Sequence, residues 1–167
     1  FDRLDFSKAV SSLGDLSKED QRIIRKALNG GVWNLNWKEQ GRVGEILFGA
    51  NLSRTYRVVD RIDGGIITSI KTMNLRRLSY RRGSAVWRRG KRYIDKLAEF
   101  AGEERRHPQI SQERIRGKIL KLAIPPGATR EQRKALGRLS KMGEKFDIVF
   151  LDPPYGSNLG RLALKDV

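Results

Sequence analysis

Val58-Val-Asp-Arg-Ile-Asp-Gly-Gly-Ile-Ile-Thr-Ser-Ile-Lys-Thr-Met73 is the stretch that decides the fold. Asp-Gly-Gly between two β-branched runs is a strong hairpin signal. With Gly64-Gly65 as a two-residue turn, Asp63 pairs with Ile66, Arg61 with Thr68 and Asp60 with Ser69. Directly opposed residues share a face of the sheet at about 5 Å. Lys71, two residues beyond Ser69, lies on that face diagonal to Asp60. The register therefore predicts a carboxylate, a hydroxyl and an ammonium group in one patch. A slip of one residue would send Ser69 and Lys71 to the opposite face from Asp60.

The flanking sequence places this hairpin in a mixed α/β domain. Ser17-Lys-Glu-Asp20 is a capping box that opens a helix through about Leu28, and Asn29-Gly30-Gly31 ends it. Asn36, with Glu39 three residues on, starts a second helix to about Gly49, with Trp37, Val43, Ile46 and Leu47 as expected core contacts. Strands are expected over Tyr56–Ile62 and Ile66–Asn74, then a helix from Ser84 to Phe100 with Val86, Tyr93, Ile94 and Leu97 on one stripe. Residues 102–116 are a charged connection. Lys118–Ile124 reads as a strand, Thr129–Met142 as a basic helix and Phe146–Leu151 as a short apolar strand. The architecture expected is a three-layer α/β fold, a mixed sheet flanked by helices. Its parts would be an N-terminal helical extension over 1–31, a main domain over 32–156 and a tail over 157–167.

Composition narrows the function. The 167 residues carry a net charge of +16, which favours a polyanionic partner, above all nucleic acid. The absence of cysteine excludes disulfides and thiolate metal sites. The single histidine, His107, stands beside Pro108 in a polar loop and is expected to be solvated, which argues against a His-rich metal site or a serine–histidine triad. No apolar run approaches the roughly 20 residues that span a bilayer, and no signal peptide opens the chain. A chain opening at Phe1 is expected to be a piece of something larger.

Asp60, Ser69 and Lys71 need a second carboxylate to make a hydrolytic metal site, and Glu45 is the best candidate. It lies in Arg42-Val-Gly-Glu-Ile-Leu-Phe-Gly49, on the helix before the hairpin, where Gly44 would let that helix approach the sheet closely. Hard divalent ions take oxygen ligands, so Glu45 and Asp60 are the expected pair. Lys71 would orient the attacking water or stabilise charge developing on the phosphate. Ser69 is expected to contact a metal-bound water rather than the metal. Asp63 rivals Asp60 as the strand carboxylate.

An acid on a helix, an acid on a strand, then Ser-x-Lys on the next strand resembles the PD-(D/E)xK nuclease superfamily, with its restriction-endonuclease-like fold. More narrowly, Val58–Thr72 looks like the C-terminal nuclease toxin domains of CdiA-type contact-dependent growth inhibition proteins. Arg92-Tyr-Ile-Asp-Lys-Leu-Ala-Glu-Phe100 and Leu122-Ala-Ile-Pro-Pro-Gly-Ala-Thr129 look like the same toxins, so about residues 36–152 are covered. The resemblance implies Glu45, Asp60, Ser69 and Lys71 as the active site of a metal-dependent endonuclease using Zn²⁺, Mg²⁺ or Mn²⁺. Ser69 stands where much of the superfamily has a carboxylate. The resemblance also implies display on a secreted surface protein, action in the target-cell cytoplasm and neutralisation by a cognate immunity protein, expected to be acidic. DNA and tRNA are both substrates the resemblance allows, with DNA favoured.

Arg76, Arg77, Arg81, Arg82, Arg88 and Arg89 directly follow the hairpin, interleaved with Tyr80 and Trp87. Arginine forks match phosphate oxygens and aromatic rings stack on unpaired bases, so this run is the expected nucleic-acid grip. Residues 130–145 hold a second basic patch. One motif competes: Asp152-Pro-Pro-Tyr155 resembles the substrate motif of nucleic-acid amino-methyltransferases. Those enzymes also need a glycine-rich loop to seat S-adenosylmethionine, and none stands upstream. A basic binding module without catalysis is the remaining alternative.

Overall fold

The computed structural model describes residues 13–142 and the backbone of Phe146–Phe150. The described elements are α1 (Lys18–Gly30), α2 (Trp37–Leu47), β1 (Arg61–Asp63), β2 (Ile66–Thr72), α3 (Gly83–Glu99), β3 (Gly117–Ile124), α4 (Arg130–Ser140) and β4 (Phe146–Phe150), with short 3₁₀ turns between them. The strands form one sheet in the order β1-β2-β3-β4. β1 and β2 are antiparallel, whereas β2–β3 and β3–β4 are parallel. Asp152–Tyr155 and the tail lie outside the described residues.

The side-chain alternation of the strands divides the core. On one face Ile70 and Ala123 meet Ile23, Ile24 and Ala27 of α1 and Val43 and Leu47 of α2. On the other, Met73, Leu122 and Ile124 pack under Val86 of α3 and Leu136 and Leu139 of α4. Helices thus cover both faces, which gives the three layers expected of the sequence. Two glycines set how close those layers come. A Cβ at Gly44 would stand 2.8 Å from Thr72 Cγ2, so α2 lies directly on the sheet. A Cβ at Gly90 would stand 2.3 Å from Leu139 Cδ1, and that space is what lets α3 and α4 cross.

Helix starts follow their caps. Ser17 Oγ accepts from Asp20 N, and Asn36 Oδ1 accepts from Lys38 N and Glu39 N. α4 opens on a reciprocal box between Thr129 and Gln132. The Gln132 amide then reaches the Leu75 and Tyr80 carbonyls, tying the segment after β2 to α4.

The structure corrects two expectations. Trp37 is not a core residue: its side chain is 65% exposed, and Trp33, from the turn before α2, takes the buried place. The first strand is far shorter than Tyr56–Ile62. The Asp60 N–H still donates to the Thr68 carbonyl of β2 at 2.9 Å, but the Asp60 carbonyl accepts from Asn51 N and Leu52 N, so the chain leaves the ladder at Asp60 for the preceding loop.

Candidate active site

The hairpin register is the one its turn chemistry dictates, with Asp63 opposite Ile66 and Arg61 opposite Thr68. The ladder stops there, and Asp60 sits one residue past its end. The expected Asp60–Ser69 pair therefore does not form part of it. Because β1 ends, the Ile70 N–H has no strand carbonyl to meet. Asp60 fills that place: its Oδ2 accepts from Ile70 N at 2.6 Å and from Lys71 Nζ at 3.0 Å. Lys71 Nζ also donates to the Ile70 carbonyl at 3.0 Å. An ammonium group has three donors, so one remains for a substrate oxygen.

Asp60 is largely buried, and burial pushes its carboxyl above the ordinary aspartate range. The Lys71 charge and the Ile70 N–H pull it back, and the Glu45 carboxylate adds a further upward push. Glu45 therefore lies within electrostatic reach of Asp60. Both line one open cleft of about 1110 Å³, together with Lys71, Arg42, Arg77 and Tyr80. This space exceeds the roughly 300–1,000 Å³ of a small-molecule pocket and suits a polymer.

Ser69 is separated from this cleft. It is 2% exposed, opposite Leu120 of β3, and its side chain does not line the opening. Asp63 is at the tip of the hairpin, 72% exposed and paired with Arg61. Of the six arginines expected to grip nucleic acid, Arg77 and Arg89 line the cleft. Arg76 and Arg81 lie around Pro125–Gly127, Arg82 lies near Lys134 and Arg138, and Arg88 is exposed on α3. Trp87 carries the Arg138 guanidinium 4.4 Å from its ring centroid, which occupies that face of the ring. His107 is exposed, as expected.

Several cleft residues had no sequence signal. Arg22 and Arg42 come from α1 and α2, Arg54 from the loop before the hairpin, and Trp37 with Lys38 from the start of α2. The Lys38 ammonium stands 5.5 Å from the Trp37 ring centroid. These residues are spread over more than 30 positions in sequence, so only tertiary packing gathers them.

A cation at this site would draw on the Glu45 and Asp60 carboxylates. Among the described residues no three or more His, Cys, Asp or Glu side chains come together. Two carboxylates, one of them raised by burial and by the other, are still a donor set that a hard divalent ion fits, with waters and phosphate oxygens completing its shell.

The sequence pattern of the CDI toxin restriction endonuclease-like domain family matches residues 40–151. The chain belongs to that family. No curated protein sequence matches it. Among solved structures, this CDI toxin domain is similar to a CdiA-CT/CdiI toxin and immunity complex from Yersinia pseudotuberculosis. The TM-score is 0.54 at 21% identity, over 70% of this chain and 99% of that one. That likeness is one of fold. The restriction endonuclease-like α/β architecture and the toxin family expected from the hairpin are therefore both present, and α1, which lies before the family match, packs on the same core.

Proposed function

We propose that this CDI toxin domain is a divalent-metal-dependent endonuclease that cuts phosphodiester bonds, with DNA favoured over tRNA. The observation that carries this reading is the Asp60–Lys71 unit at the end of β1, in a cleft shared with Glu45 and rimmed by arginines. Glu45 and Asp60 would hold the metal, as Zn²⁺ or as Mg²⁺ or Mn²⁺. When bound, such an ion polarises a phosphoryl oxygen and lowers the pKa of a water. Lys71, anchored by Asp60 and the Ile70 carbonyl, directs its third donor at the phosphate and stabilises the negative charge that develops there. Arg77 and Arg89 hold the flanking phosphates. Ser69, buried two residues before Lys71, is assigned to supporting β2 rather than to touching the substrate.

The family supports delivery from a secreted, surface-displayed protein and action in the target-cell cytoplasm. It also supports a cognate immunity protein, of the kind that accompanies the Yersinia pseudotuberculosis toxin. At a net charge of +16, an acidic partner covering the cleft is the electrostatically natural inhibitor.

The test offers plasmid DNA and total tRNA to the purified domain with EDTA, Mg²⁺, Mn²⁺ or Zn²⁺. Cleavage that needs metal and is lost in Asp60→Asn and Lys71→Ala supports the nuclease, and the substrate that is cut decides between DNase and tRNase. Labelling by S-adenosylmethionine without cleavage would instead favour methyl transfer. Salt-sensitive binding with neither activity would leave a binding module.

A further inference from the structure

Asp20 sits on α1, outside the part of the chain that matches the family, yet its side chain is only 7% exposed and pairs with Arg42, which lines the cleft. It meets Arg42 of α2 edge-on. Arg42 Nε donates to Asp20 Oδ1 at 2.7 Å and Nη2 to Oδ2 at 2.6 Å. The same guanidinium sends Nη1 to Glu45 Oε2 at 2.9 Å. A second cation, Arg54, reaches Asp20 Oδ1 at 3.1 Å. A guanidinium is planar and its donors are fixed in direction. With one edge clamped on Asp20, the direction of Nη1 is set, and one oxygen of Glu45 is held while the other stays open to the cleft.

We propose that Asp20 and Arg42 are positioning residues for Glu45, so that α1 is part of the working site. The proposal rests on the reading of Glu45 and Asp60 as metal ligands. Asp20 does two things at once. It fixes Arg42 in orientation, and it neutralises the arginine so that only one N–H turns toward Glu45. Without Asp20, Arg42 is a free cation beside Glu45. It would take that carboxylate with both prongs, in direct competition with a divalent ion.

A merely structural staple between α1 and α2 makes a different prediction. It would cost stability in every variant and leave metal binding untouched in the protein that remains folded. The two are separated by titrating the whole chain, without nucleic acid, with Mn²⁺ and with Zn²⁺, each alone, below the melting range of every variant. Asp20→Asn should weaken binding roughly tenfold, the scale of one charge-assisted hydrogen bond redirected. Adding Arg42→Met to Asp20→Asn removes the competing cation together with the group that holds Glu45, and should recover part of the loss, with affinity above that of Asp20→Asn and below that of the parent. Equal affinity in the parent and Asp20→Asn overturns the proposal, as does a double variant that binds no better than Asp20→Asn alone. Asp60→Asn is the control for the site itself. If the parent binds neither ion, or if Asp60→Asn binds as the parent does, the metal-site reading fails first and the positioning role falls with it.

Discussion

Asp20 and Asp60 are two largely buried aspartates, one behind Arg42 of the cleft and one lining it, and they are treated in opposite ways. Asp20 is met by two guanidinium groups, and Arg42 above all holds its carboxyl below the ordinary aspartate range. Asp60 is met by one ammonium group and one backbone N–H, which do not make up for its burial, and its carboxyl is held above that range. Both groups are charged near neutrality only at a cost in desolvation, but at Asp20 the cost is offset and at Asp60 it is not. The lesson is one of division of labour. The satisfied carboxylate clamps Arg42 between two helices, and the under-satisfied one is left poised for a further positive charge.

The largest effect expected tests the poised side. Asp60→Asn and Lys71→Ala should each lower cleavage by at least ~100-fold, since the first removes a proposed metal ligand and the second the ammonium group aimed at the developing charge. Circular dichroism should show both variants folded. Loss of only a few-fold would mean that the two aspartates do not differ in function. Next comes the satisfied side. Asp20→Ala leaves Arg42 partly buried without its carboxylate and should destabilise the domain by ~2–3 kcal/mol in urea melts. A change below about 0.5 kcal/mol would put Asp20 among the surface pairs that contribute little.

The pH dependence should separate the pair by sign. The Asp20 contribution is present above the unfolded aspartate range and is lost as pH falls through its lowered folded value. Asp60 does the reverse: its protonated form is the better tolerated, so stability is lost as pH rises through its raised folded value. Melting temperatures of Asp20→Asn and Asp60→Asn, each subtracted from the parent across pH 3–8, should slope in opposite directions. Asp60→Asn should be the more stable protein at neutral pH. Parallel slopes would remove the contrast. The smallest effect expected is at Asp63, exposed at the hairpin tip. Asp63→Ala should change cleavage less than about twofold, as surface sites remote from the chemistry generally do.

What could be read in advance divides along the same line. The Asp60–Lys71 meeting is a local matter. Asp-Gly-Gly fixes the turn and the turn fixes the register, which brings Asp60 and Lys71 close within twelve residues. The expected Asp60–Ser69 pairing fails because the ladder ends at Arg61 and the Asp60 carboxylate turns to the Ile70 N–H. The close seat of α2 was equally legible, because Gly44 has only one reason to interrupt that helix stripe. Asp20–Arg42 was not legible. Its members are 22 positions apart on two helices, and nothing in either helix names the other. The error over residues 56–60 has the same origin. β-branched residues there suggested strand, but the Asn51 and Leu52 amides claimed the Asp60 carbonyl first. Trp37 was misplaced because its phase on the helix matches the core stripe, whereas the first turn of α2 overhangs the cleft and Trp33 already fills the interior.

The bond from the Ile70 N–H to Asp60 has a consequence apart from chemistry. Beyond β1 no strand pairs with that flank of β2 among the described residues, and an unpaired strand flank invites other chains to dock by their own backbones. The Asp60 side chain closes that flank like a plug, taking the donor that an intruding strand would seek. An inactive form of this toxin made by truncating residue 60 to alanine would thus be silent and also open-sided, and prone to self-association as it is concentrated. Asparagine in the same place keeps an oxygen for Ile70 and keeps the plug in. Any inactive stand-in used to capture a partner should carry that residue, so that what binds the cleft is not confused with what merely adds a strand.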